Sequence, residues 1–250
     1  MKLNHVALNA IKVLETDKHI NAQNLANISV PGYRRDLPAS RESSFLQALD
    51  QFTTRVYSRV STDNSFSDQP GKLNPTGDNM DISIEGAGYF FIKPENAPEA
   101  LSRRGDFGVN GAGFLVDGSG HQVLDDSLSP INIPPFRTFV VNELGEIFIE
   151  PQNGAPGQRI NVGIIGTTLA GDTRLGKSTD GLIRPVGGAE LPAADQKAKI
   201  AQGYLEASNV STVEELVVSL ETQRRVEMVT KLMETSKQND ESSTEIMGLP

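Results

Sequence analysis

The chain has 250 residues, 23 Lys plus Arg against 32 Asp plus Glu for a formal net charge of −9, and no cysteine. These figures exclude a disulfide-stapled miniprotein and a thiolate zinc site, and the acidity argues against nucleic acid or an anionic lipid surface as the main partner. Hydrophobic residues are 37% and aromatics 6%, with no tryptophan, so a modest core and an extended outline are expected. The longest apolar runs, such as Tyr89 to Ile92, fall far short of the ~20 residues that cross a bilayer. Asn4, His5, Asn9 and Lys12 interrupt what would be the apolar core of a signal peptide, so any export is expected to proceed without a cleaved Sec signal.

In chain order, Leu3, Val6, Ala7, Ala10, Ile11, Val13 and Leu14 recur at steps of three and four, the spacing of one helical face. The first ~28 residues are predicted to be helical, stopping before Pro31-Gly32, where proline disfavours the α region for Val30 and glycine turns the chain. From Asp36 to about Asp78 no period is sustained, apart from a helix-like patch at Phe45, Leu46, Leu49 and Phe52. At Met80 the pattern changes to strands and turns: Asp81 to Glu85, then Tyr89 to Ile92, with further β segments at 107–109, 113–116, 122–124, 131–133, 139–142, 146–149, 159–165 and 182–185. Asp117-Gly-Ser-Gly120 and Glu143-Leu-Gly145 suit hairpin turns.

After Pro192 the composition reverses. From Ser211 the chain is free of glycine and proline until Gly248, and Ser211 with Glu214, or Thr212 with Glu215, has capping-box spacing, so a long helix is predicted to begin near Thr212. At 100° per residue, Val213, Leu216, Val217 and Leu220 share one face, while Val226, Met228, Val229, Leu232 and Met233 centre roughly 150° away. A single partner helix would want one straight seam, so the helix is expected to face different neighbours along its two halves. Residues 1–36 carry five basic and three acidic groups, against four and nine in residues 201–250, so the two ends are complementary in sign. The expected fold is mixed α and β and discontinuous. N- and C-terminal helices pair as a coiled-coil-like stem around a central all-β domain, with boundaries at 1–36, 37–77 (an extended connector), 78–190 and 191–250 (linker and helix).

Catalytic signatures are incomplete. Asp106-Phe-Gly108 lacks the other parts of a kinase, Gly86-x-Gly88 lacks the third glycine of a dinucleotide loop, and no Gly-x-Ser-x-Gly elbow occurs. Asp117, Ser119, His121, Asp125 and Asp126 alternate as in a calcium loop but lack its closing glutamate, so a solvated turn is expected. His5, His19 and His121 form no His-x-x-x-His pair. Asp78 and Asp81 are candidates only for a turn or, in a second reading, for glycan hydrolysis.

Asn24-Leu-Ala-Asn27 followed by Pro31-Gly-Tyr-Arg34 resembles the signature of the axial proteins of the bacterial flagellum, the rod and hook subunits. Met80 to Phe91, Arg104-Gly-Asp-Phe107 with Gly113 to Val116 and Gly120 to Leu124, and Gly203-Tyr-Leu-Glu-Ala-Ser-Asn-Val210 are similar to further motifs of that family, in the same order. Val30 departs from the usual threonine, and Asp125 stands where glycine is common. The length is similar to that of the two larger rod proteins, and Arg225 to Met233 leading to Asn239-Asp240 resembles the proximal-rod type, with the distal-rod type as the alternative.

The resemblance implies a structural subunit of the basal-body rod, crossing the periplasm, built by helical repetition and transmitting torque. Its partners would be copies of itself and other proximal and distal rod subunits, with the flagellar type III export apparatus in transit. No nucleic acid, membrane insertion, cofactor, metal or catalytic residue is implied. The assembly interface would draw on Leu3, Ala7, Ala10, Leu14, Asn24, Leu25, Asn27, Val213, Leu216, Val217, Leu220, Val226, Val229 and Met233, with Asn24 and Asn27 making inter-helix or turn hydrogen bonds. The competing reading is a secreted β-rich module or hydrolase acting on cell-wall glycan through Asp78, Asp81 or His121. Four tyrosines and no tryptophan supply a sugar platform poorly.

Overall fold

The computed structural model of the chain describes residues 2–38 and 65–247. They form two compact units, one holding the terminal helices and the other spanning 27–37 and the chain from 65 to Val210. The helices are α1 (Lys2–Ala26) and α2 (Thr212–Met247). Helix α1 stops ahead of Pro31, and α2 starts where Ser211 Oγ accepts the Glu214 amide at 3.4 Å, the capping geometry its sequence predicts. No helix among the described residues is long and apolar enough to cross a membrane.

The second unit is built of short strands: β1 (Leu73–Pro75), β2 (Ile82–Glu85), β3 (Tyr89–Lys93), β4 (Ala100–Ser102), β5 (Gly108–Val109), β6 (Leu115–Val116), β7 (Gln122–Val123), β8 (Phe136–Val141), β9 (Glu146–Pro151), β10 (Ile160–Ile164), β11 (Thr167–Thr168), β12 (Leu175–Lys177), β13 (Ile183–Pro185), β14 (Lys199–Gln202) and β15 (Tyr204–Glu206). An eight-stranded sheet runs β12-β13-β4-β3-β7-β6-β5 with β11 also on β3; β10-β9-β8 form a second sheet, and β14-β2 and β1-β15 are two-stranded. All pairings are antiparallel.

Strand β3 lies at the centre because both of its faces are apolar. Successive side chains point to opposite faces, so Phe90 joins a core with Ile82, Phe139, Ile147 and Ile149, while Tyr89 and Phe91 join another with Leu101, Leu124 and Ile183. Phe90 meets Phe107 edge-on at 5.2 Å between ring centres.

One device recurs at four turns. Asn110, Asp117, Asp125 and Asn142 each accept through Oδ1 the amides two and four residues on, at 2.8–3.0 Å. The oxygens that resemble a calcium loop at Asp117 and Asp125 are thus engaged in closing turns.

Two sequence expectations are modified. Residues 131–133 are not a strand: Phe114 bridges Asn132 and Leu124 bridges Pro130, and Ile131 and Ile133 are buried, but Pro130, Pro134 and Pro135 lack the amide donors a longer ladder needs. Residues 65–77 and 191–210, which composition assigns to connector and linker, lie in the β unit, where β1 pairs β15 and β14 pairs β2. The Phe45 to Phe52 patch lies outside the described residues.

Candidate functional site

Two sites emerge, one in each unit. In the helical unit the end of α1 meets the first turn of α2, and the helices pack along one another, so they run antiparallel. Asn21 Nδ2 donates to Glu215 Oε2 at 2.5 Å and to the Glu215 carbonyl at 2.8 Å, and Asn24 Nδ2 reaches Oε1 at 3.4 Å. Along α2, the buried and half-buried side chains among those described are Glu215, Ser219, Thr222, Val226, Val229, Met233 and Ser236. Their steps alternate strictly between four and three. On α1, Ala10, Leu14, Asp17, Asn21 and Asn24 repeat the same steps.

This row separates the two apolar sets of α2. The burial row is continuous through Glu221 to Arg225; what changes there is its composition, polar in the first half and apolar in the second. Val226, Val229 and Met233 lie on it, whereas Val213, Leu216, Val217 and Leu220 are 71%, 51%, 49% and 58% exposed on the other side. Of the α1 residues, Leu14 and Asn24 are buried and Ala10 and Leu25 half-buried. Leu3 and Ala7 lie on α1 with side chains outside the described residues. Asn27 belongs to the turn after α1, its carbonyl accepting the Val30 amide at 3.1 Å. Asn21, Glu215 and Thr222 are row members that a search for apolar periodicity passes over.

In the β unit the Pro31 to Arg34 box and the Gly203 to Val210 box, far apart in the chain, meet around the Glu206 carboxylate. Oε1 takes Arg34 Nη2 at 3.1 Å and the Gly71 amide at 2.7 Å, while Oε2 takes Arg103 Nε at 2.7 Å and Nη2 at 2.5 Å. Arg103 also donates to the carbonyls of Ile84, Gly86 and Gly88 at 2.8–3.0 Å, and Arg34 to that of Gln69. Burial pulls the Arg103 pKa down, and the Glu206 charge opposes it. The Gly32 amide donates to the Glu206 carbonyl at 2.7 Å; its φ of +66°, and the Arg103 carbonyl 2.2 Å from where a Cβ would sit, require glycine.

Asn209 completes the junction. Its Oδ1 accepts the Arg35 amide at 2.6 Å and its Nδ2 donates to the carbonyls of Ser67 and Gln69 at 3.1 and 2.7 Å. Beside it, Lys177 Nζ pairs with Asp36 at 2.8 Å, donates to the Arg34 carbonyl at 2.7 Å and lies 3.7 Å from the Tyr33 ring centre. Burial pulls the Lys177 pKa down, against the Asp36 charge. These are groups that hold one another, an arrangement suited to fastening the start and end of the unit rather than to turnover.

The residues of the glycan reading lie at turns, with bonds to the Asp78 and His121 side chains and to the Asp81 backbone. Asp78 Oδ1 accepts the Met80 amide at 2.9 Å, the Asp81 amide donates to the Asp78 carbonyl at 3.2 Å, and His121 Nδ1 sits 3.0 Å from Asp117.

Comparison with known proteins bears on both sites. Residues 83–149 match the family described as flagellar hook protein FlgE/F/G D1 domain, and residues 201–246 match flagellar basal body rod FlgEFG protein C-terminal. The chain is 31% identical over 247 residues to the flagellar basal-body rod protein FlgF of Caulobacter vibrioides, covering 98% of this chain and 97% of that protein. It is 26% identical to FlgF of Salmonella typhimurium, over 98% of each chain. Against the rod protein FlgG of Buchnera aphidicola it is 28% identical, over 90% of this chain and 91% of the other. The matched C-terminal segment begins in the strand next to Glu206 and takes in the α2 burial row, so both sites lie in regions shared with these relatives. The chain therefore belongs to the flagellar basal-body rod protein family, whose members are structural subunits of the flagellum.

Proposed function

We propose that this chain is a proximal subunit of the rod, exported through the flagellar type III apparatus and assembled across the periplasm by helical repetition with copies of itself and with proximal and distal rod proteins. In this reading α1 and α2 form a coiled-coil-like stem that carries torque from motor to hook. The observation that carries it is the uncovered apolar face of α2. Val213, Leu216, Val217 and Leu220 stand 71%, 51%, 49% and 58% exposed, away from the row that meets α1. A surface helix gains nothing from such a face in an isolated subunit, and a repeating assembly uses it for heterologous contacts, in which one copy's face meets a different face of the next. The intersubunit interface then comprises the outer face of α2 together with the α1 residues Leu3, Ala7 and Leu25, while Ala10, Leu14 and Asn24 face α2 within the stem. Asn27 sits at the turn, and Val226, Val229 and Met233 hold the stem together. The resemblance of Arg225 to Met233, leading to Asn239-Asp240, to the proximal-rod type supports the proximal position.

The test is deletion of the gene in its host, followed by electron microscopy of the envelope and a swimming assay. Cells without hooks and filaments, with basal bodies stopped at an early rod stage, are expected. Normal flagella with altered cell-wall composition would overturn the reading in favour of the glycan-acting alternative.

A further inference from the structure

We propose that Asn21, Asn24 and Glu215 form a register-setting layer: a buried carboxylate and two amides that admit one alignment of α1 against α2 and penalise its neighbours. The inference rests on the paired-helix reading above and names the residues that decide how the pair aligns.

The layer is unusual for its position. Asn21, Asn24 and Glu215 are 4%, 1% and 1% exposed, and they occupy row positions where helix pairs ordinarily place apolar side chains. Asn21 and Asn24, three residues apart, present their amides on one face. Those amides are donors, and the carboxylate is an acceptor only, so Asn21 Nδ2 at 2.5 Å and Asn24 Nδ2 at 3.4 Å meet the acceptor with the matching chemistry. Glu215 also lies in the first turn of α2, its amide bonded to the Ser211 carbonyl at 3.0 Å, where the positive end of the helix favours a negative charge. The rest of the row does not specify an alignment. Leu14, Val226, Val229 and Met233 attract without direction, and an apolar row shifted by seven residues still buries apolar surface.

The carboxylate tolerates neither such shift. A slip of one heptad toward the start of α1 sets Glu215 against Leu14 and Asp17, an apolar side chain and a like charge. A slip the other way sets it against positions 28 and 31, beyond Ala26, where α1 has ended. In the first case a buried carboxylate loses the donors that offset its desolvation, and in the second it loses those donors together with the helix that carries them. An apolar layer of similar volume would remove that penalty in every alignment at once, leaving the pair as stable or more so but without a preferred register.

The native chain contains no cysteine, so engineered pairs report alignment directly. The alignment that places Asn24 opposite Glu215 places Ala10 opposite Val229, and a slip of one heptad places Ala10 opposite Thr222 or Ser236. Three full-length variants, Ala10→Cys with Val229→Cys, Thr222→Cys or Ser236→Cys, are oxidised mildly and the cross-linked fractions compared. The first pair is expected to exceed each of the others by roughly tenfold or more, the ratio a buried charge left unpaired would produce. Adding Asn21→Leu, Asn24→Leu and Glu215→Leu is expected to spread cross-linking over all three pairs without loss of helical thermal stability. The single change Glu215→Met is expected to spread it likewise, so the test survives if the triple variant aggregates. Continued dominance of the first pair in either background would overturn the layer while leaving the paired helices intact, as would equal cross-linking of all three pairs in the unaltered layer. No cross-link through any pair would overturn the helix pairing itself.

Discussion

The two units use their apolar residues in opposite ways. In the β unit Phe90, Phe91, Leu101, Ile147 and Ile149 are fully buried, and the charges that enter it, Arg34, Arg103 and Glu206, are buried with them and paired. In the helical unit Leu14 is the buried apolar side chain among the described residues; Asn21, Asn24, Glu215 and Thr222 fill other buried places, and Val213, Leu216, Val217 and Leu220 point outward. Folding free energy is a small difference between large terms, so where apolar area is buried decides which unit holds itself together. The β unit invests its apolar surface in its own fold. The helices leave much of theirs exposed among the described residues, the arrangement to be expected if stability and assembly are assigned to different parts of one subunit.

Substitutions that unfold one unit and spare the other test that division. The largest effect on the β unit is expected from Glu206→Ala, which strands two buried guanidinium groups and the Gly71 amide together; losing one partner of a buried ion pair costs about 3–5 kcal/mol. Urea denaturation of the full chain checks it, and a loss within about 0.5 kcal/mol, the scale of a surface change, would mean that the junction is not what closes the unit. Leu101→Ala, in the core around Phe91, is expected to cost about 2–5 kcal/mol by the same measurement, from lost transfer energy and the cavity left behind.

A smaller effect is expected at Lys177, and its sign can be worked out. Burial lowers the Lys177 pKa, so on raising the pH the folded chain gives up this proton before the unfolded chain does. Between the folded value and the unfolded value of about 10.4 the unfolded chain holds more protons, and stability gained through this group rises with pH. Compared with Lys177→Met across an alkaline pH series, the parent's urea midpoint should therefore improve relative to the variant as the pH climbs toward that value. A parent-to-variant difference that stays flat, or falls, would show that the ammonium is not disfavoured in the fold.

Much of this was legible locally. Ser211 and Thr212 ahead of an unbroken apolar-and-charged run mark the start of α2 to within a residue or two, and the apolar runs at 82–84 and 89–92 mark β2 and β3, because caps and short strands are written in adjacent residues. The strands β1, β4, β11, β12, β14 and β15 were not legible: they are four residues long at most, and all but β12 have a partner distant in the chain beside them. Both boxes at the Glu206 junction stand out in the sequence, yet their meeting is a property of the fold, and Arg103 and Lys177 carry no local mark at all. The α1-facing row of α2 is only half legible. Val226, Val229 and Met233 stand out as an apolar set turned away from Val213 to Leu220, but Glu215, Ser219 and Thr222 break the apolar period that identifies a helix contact and hide the first half of the row.

The smallest effect on the fold belongs to the change that should matter most for assembly. Leu220 is 58% exposed and Val217 49%, so Leu220→Asp or Val217→Asp buries no new charge and opens no cavity in the isolated chain. Surface changes of this kind usually lie within about 0.5 kcal/mol, and denaturation of the β unit should be unaltered. On a face that another subunit covers, the same aspartate becomes a desolvated charge without a partner, at several times that cost in every contact the assembly repeats. Cells carrying either variant as their only copy are expected to produce the folded protein and fail to swim. Full motility with an unchanged midpoint would mean that nothing covers this face, and the apolar surface of α2 would then have no assembly role.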